Sequence, residues 1–218
     1  MPGSGRALEG IIEMSWLVRI FLSMAILVPA LGARASDWGP VWDSLAEQPG
    51  ATVSDGMDAS GAPIRQINLA SNVSFLLRKQ GDHVEVTGVD NSGHGAVACA
   101  ARTFPTLLFI LDTCAPGKYP ELRKTLGQTL NDIDDFIVKN SIVPVTKESL
   151  QQERRDAEAK IHAMSPADVA KECHKPDFQS WLSKVEPAGG EHDESERIRK
   201  VTKELLSVPR PPVRNPCI

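Results

Sequence analysis

The residues best suited to chemistry in this chain are Cys173 and His174, side by side, together with Cys99, Cys114 and Cys217. A thiolate activated by an imidazole is the working pair of cysteine hydrolases. Neighbouring positions on a helix point about 100° apart, so Cys173 and His174 do not face each other there. A catalytic imidazole would have to come from His83, His94, His162 or His192, and none of these stands in a nucleophile signature. The chain has no Gly-x-Ser-x-Gly elbow, no phosphate loop and no dinucleotide fingerprint. No catalytic residue is assigned and no cofactor is expected.

Metal chemistry has equally thin support. His83 and His94 would need to share one sheet face to act as ligands, and an exposed strand histidine is the commoner arrangement. Asp58-Ala59-Ser60-Gly61 and Asp90-Asn91-Ser92-Gly93 resemble fragments of a calcium loop but lack its later bidentate glutamate, so both read as turns. Asp132, Asp134 and Asp135 fall on one helical segment and read as its wet face. No metal site is expected.

The cysteines then take their meaning from the compartment. From Trp16 to Leu31 the chain is almost wholly apolar, with Arg19 ahead of the main run and Ala33-Arg34-Ala35 behind it. A charge, a short apolar run and a small-x-small ending are the parts of a secretory signal peptide. The apolar core is about a dozen residues, short of the roughly 20 that span a bilayer. Cleavage is expected after Ala35, so residues 1–35 are a signal peptide and no stable membrane span remains. Residues 1–13 carry Arg6 against Glu9 and Glu13, an acidic leader that a start at Met14 would remove.

An even set of cysteines in an exported chain reads as two disulfides among Cys99, Cys114, Cys173 and Cys217. Three pairings are available. The expected one is Cys99–Cys114 with Cys173–Cys217, each joining neighbours within one region, the second tethering a proline-rich tail. The chain has 24 basic and 28 acidic groups, of which the leader holds three and two, so the exported part is acidic by five charges. That balance argues against nucleic acid, which needs clustered Lys and Arg to displace counterions.

These residues must be held by elements the pattern also suggests. Residues 36–119 read as a β-rich part. After a short helix over Val41–Glu47, runs at Ile64–Leu69, Val73–Arg78 and His83–Val89 lie between Gly, Asp and Asn turns and make an antiparallel meander. The stretch 94–114 stays open between helix and strand, being alanine-rich and then continuously apolar. Residues 120–218 read as a helical part with a proline-rich tail. Leu122, Leu126, Leu130, Ile133 and Ile137 form one apolar stripe, Asn140 is a left-handed stop, and Thr146 caps a charged helix over 147–164. The fold class is α+β: a small antiparallel meander followed by four or five helices, braced by disulfides.

The function that this pattern favours is binding or assembly by a soluble protein, periplasmic or secreted. The charged helix has a narrow apolar stripe, Leu150, Ala157 and Ile161, suited to a helix–helix seam. That stripe is the expected partner surface, facing another exported protein or a second copy. A secreted hydrolase whose site assembles only in the fold is one alternative. A small-ligand carrier with a pocket between sheet and helices is another.

Overall fold

A computed structural model describes residues 38–217; the signal peptide expected over 1–35 and the alternative start expected at Met14 lie outside the described residues. The chain opens with helix α1 (Pro40–Ala46), whose first position is the proline. Four strands follow, β1 (Thr52–Met57), β2 (Pro63–Asn68), β3 (Val73–Gln80) and β4 (His83–Asp90). They pair antiparallel in chain order, the meander that the period-two pattern suggests. Gly81, at φ 60°, allows the tight turn that puts Gln80 opposite His83. Only a residue without a side chain takes that backbone freely.

Alternation sorts the sheet into two faces. Ile67, Val73, Phe75 and Leu77 turn inward and pack with Trp38, Leu45 and Trp42. Ser54, Gln66, Leu76 and Thr87 stand opposite one another on the outer face. The inner layer closes with the tail. Val213 lies over Gly88, where an added methyl carbon would come within 2.5 Å of a Val213 methyl.

Helix α2 (Val97–Cys114) settles the open stretch. Alanine propensity at its start and packing along its length outweigh the strand preference of Phe109-Ile110. Then come α3 (Pro120–Asn140), α4 (Lys147–His162), α5 (Pro166–Cys173), α6 (Pro176–Val185) and α7 (Gly190–Leu205). Six helices therefore follow the sheet among the described residues, the sixth being the stretch that periodicity left open. The predicted stripe on α3 is buried, with Leu122, Leu126 and Ile133 fully enclosed. It forms a spine that meets α2 on one side and α7 on the other. Asn140 does not stop α3 through a left-handed backbone; its side-chain amide donates to the Phe136 carbonyl at 2.8 Å instead. Thr146 caps α4 as expected, exchanging hydrogen bonds with Ser149 in both directions.

The disulfides are Cys99–Cys217 and Cys114–Cys173, which corrects the expected pairing. The reason is the length of α2. Cys99 and Cys114 sit fifteen positions apart on one helix, about 22 Å at the helical rise. A disulfide tolerates Cα atoms no more than about 7 Å apart. Each cysteine therefore reaches outward, Cys99 to the tail and Cys114 to the end of α5. The loops closed, 118 and 59 residues, are longer than the expected ones. The chain-entropy model gives each bridge about 4–5 kcal/mol against the unfolded state.

By length and composition α2 could cross a membrane. Here its apolar residues are used elsewhere: Phe104, Leu107 and Leu108 pack into the helical core, and both ends are disulfide-bonded to other segments.

Candidate functional site

Three helices make a trough. Helix α3 is its base, α2 one wall and α4 the other. Leu150 anchors α4 by packing against the cluster of Val97, Ile133, Phe136 and Ile137. One turn further, Arg154 forms a bidentate pair with Asp134 on α3, with Arg154 Nη1 at 2.7 Å from Asp134 Oδ1. Lys147 meets Asp135 at 2.6 Å. At the far end the His162 ring meets Phe109 of α2 edge-on, with centroids 5.4 Å apart. Between these anchors α2 and α4 stand apart, leaving a groove of about 800 Å³.

The tail supplies one end of the groove. Ala98 N–H donates to the Val213 carbonyl at 3.1 Å, and the Cys99–Cys217 bridge sits beside it. This places Pro212 and Arg214 next to the first turn of α2. The surface inside is small and apolar: Ala98, Ala101, Pro105, Ile137, Leu150 and Ala157. Pro105 lies within α2 and has no N–H, so the Ala101 carbonyl lacks its usual donor one turn on.

The rims are charged. Arg102 and Arg214, on the α2 side, make no side-chain hydrogen bond or ion pair among the described residues. Glu153 and Glu158, on α4, are likewise unbonded and lie near Arg154. Arg154 is committed to Asp134, whose carboxylate raises the guanidinium pKa further above its ordinary value. The groove thus has one basic rim and one rim rich in carboxylates, over an apolar floor.

The sequence-predicted partner residues are divided by this geometry. Leu150 is half-buried against the protein's own core, because α4 needs it as an anchor. Ala157 is exposed and lines the groove. Ile161 falls in the last turn of α4, and its side chain lies outside the described part of the structure. Of the three, Leu150 and Ala157 thus border the groove between α2 and α4.

The residues weighed for catalysis and metal binding are scattered. Cys173 is bonded to Cys114, and His174 Nδ1 contacts the Ala170 carbonyl at 2.7 Å. His83 and His94 lie at and beyond opposite ends of β4, and a strand that long extends about 23 Å, so they do not share a site. His192 contacts Glu121 at 3.1 Å, away from both. Among the described residues no group of three or more His, Cys, Asp or Glu is placed to hold a metal ion. Asp58 accepts from Ser60 Oγ and from the Ser60 and Ala62 amides, which lowers its pKa to about 2 and makes it the turn-former read from sequence.

Sequence reasoning missed two pairs. Asp134 is not on a wet face: α4 covers it completely and supplies Arg154 as its counter-ion. Asp90 and Arg210 form a second pair, with side chains 1% and 0% exposed and Arg210 Nε 2.5 Å from the carboxylate. Burial alone would raise the Asp90 pKa; hydrogen bonds from Arg210 and Ser92 outweigh it and hold the carboxyl below its usual range. Partners 20 and 120 residues apart leave no local pattern to read.

No protein-family model matches the chain, and neither a curated protein nor a solved structure resembles it significantly.

Proposed function

We propose that the protein is an exported binding or assembly protein, working in an oxidising compartment and engaging another exported protein through the groove between α2 and α4. One observation carries the reading: an apolar, small-residue floor lies open between a rim bearing Arg102 and Arg214, which make no ion pair among the described residues, and a rim rich in carboxylates. Water solvates these exposed charges, so the support lies in the open apolar surface and in the opposite charge of its two rims, which an occupant of complementary pattern would match. The export assignment draws on the cleavable leader in the sequence, and two disulfides are consistent with it. Binding is favoured over hydrolysis because the only cysteines are bridged and the histidines converge nowhere.

Site-specific photocrosslinking tests this in the cells that export the protein. A photoreactive residue at Ala157 should give a discrete protein adduct, identifiable by mass spectrometry. The same residue at Val201, exposed on α7 away from the groove, should not. Identical adduct patterns at the two positions would remove the groove from consideration.

A further inference from the structure

We infer that the occupant of the groove is an amphipathic α-helix of the partner protein, with acidic residues along one flank and basic residues along the other. This rests on the groove being the binding face. The groove has the proportions of a short helix. Its α2 wall runs from Ala98 to Phe109 and its α4 wall from Leu150 to Lys160, each about 15–16 Å or three helical turns. An incoming helix would become the fourth side of an arrangement in which α2, α3 and α4 already supply three. Ala98, Ala101 and Ala157 keep the walls low, so that a helix backbone can approach closely.

Other occupants fit less well. An extended segment docks by a row of main-chain hydrogen bonds to a free strand edge, and both walls here are helices, whose backbones offer no such row; the Ala101 carbonyl alone lacks its donor. A small apolar ligand is usually enclosed over 70–90% of its surface, roughly speaking. Arg102, Thr106, Glu153, Ala157, Glu158 and Lys160 all remain exposed along the rims, so the groove is an open trough. A helix half sunk in a trough still presents its own polar face to water.

Charge then sets the flanks. Arg102 follows Ala98 by one turn, and Arg214 is carried to the same end by the tail. Acidic side chains of the incoming helix would complete both. On the opposite rim Glu153 and Glu158 call for Lys or Arg. Turning the helix end for end exchanges its flanks, so this asymmetry selects one direction of insertion.

Peptide binding to the mature, disulfide-intact protein tests the inference. Two helical peptides of about 18 residues share an Ala/Leu stripe. One has a Glu flank and a Lys flank, the other Lys on both. Fluorescence anisotropy at low salt should show the Glu/Lys peptide binding about tenfold tighter. In R102E/R214E, shown folded by its circular dichroism melt, the preference should invert in favour of the Lys/Lys peptide. Equal affinities, or a preference unchanged in R102E/R214E, would overturn the helix assignment. So would laurate, an anionic amphiphile without a helix, if it saturated the groove while neither peptide bound. A discrete Ala157 adduct in any of those cases would leave the groove as binding face with a different occupant. Loss of the adduct together with the peptide preference would remove both.

Discussion

The tail and helix α4 are fastened in opposite ways. Residues 206–217 have almost no regular structure, yet Arg210 and Val213 are buried, and Asp90 N–H donates to the Asn215 carbonyl at 2.7 Å. Arg210 alone donates to Asp90 and to the carbonyls of Val208 and Gly95, and it stacks over Phe136. Helix α4 is regular over sixteen residues, but none of its described side chains is fully buried. It rests on one leucine, two ion pairs and the edge-on contact of His162 with Phe109. Firmness in this protein follows from buried contacts and not from regular backbone, which is why the groove's tail end is fixed while its α4 wall is the part able to adjust.

The sharpest way to break the comparison is to strand the charge at the tail. Arg210→Met leaves the Asp90 carboxylate buried with only Ser92 to satisfy it. A loss of about 3–5 kcal/mol is expected in urea unfolding at neutral pH. The pH dependence carries a sign. Asp90 has a lowered pKa in the folded protein, so its contribution is present above its unfolded value and is lost as pH falls through the folded one. Without Arg210, burial would raise that pKa, and protonation would relieve the variant. The gap between wild type and Arg210→Met should therefore narrow on going from neutral pH to about pH 4. A gap that stays constant would mean that Arg210 acts by packing alone.

Gly88→Ala comes next. Its methyl carbon would collide with Val213, and overpacking of this kind costs about 1–3 kcal/mol. Hydrogen exchange should quicken at Ala98 and Asp90, whose amides bond to the tail, and stay unchanged in α4. Faster exchange in α4 as well would show the two segments to be one cooperative unit.

Asp134→Asn should have the smallest effect on stability, about 1–2 kcal/mol, because Arg154 is 20% exposed and can turn to water. Its signature is local: amides of α4 exchange faster while those of the tail keep their protection. Equal loosening of both would erase the contrast between them.

Much of the frame was legible in the residues. Strand alternation around Phe75 and Leu77, the leucine stripe of α3 and the Thr146 cap are local patterns, and local patterns are what periodicity reports. The stretch 94–114 was not legible, since an alanine-rich run joined to an apolar one satisfies either a buried helix or a buried strand. That one ambiguity carried the disulfide pairing with it. Once 97–114 is a helix, Cys99 and Cys114 are held apart by its rise and must find Cys217 and Cys173. The candidate site was half visible: Ala157 was singled out as part of a helix–helix seam, and the opposite wall with Arg102 and Pro105 was not connected to it.

By itself the sequence determined the element types around the stretch 94–114, the Thr146 cap, an even set of cysteines and an amphipathic α4. These depend on residues within a few positions of each other, where side-chain spacing and backbone preference act directly. Only the tertiary structure decided which cysteines bond, that Asp134 and Asp90 are buried, that Leu150 turns inward, and that a groove opens between α2 and α4. Each of those depends on segments brought together from 20 to 120 positions apart. At such separations the deciding quantity is the shape of packed helices, which no local spacing encodes.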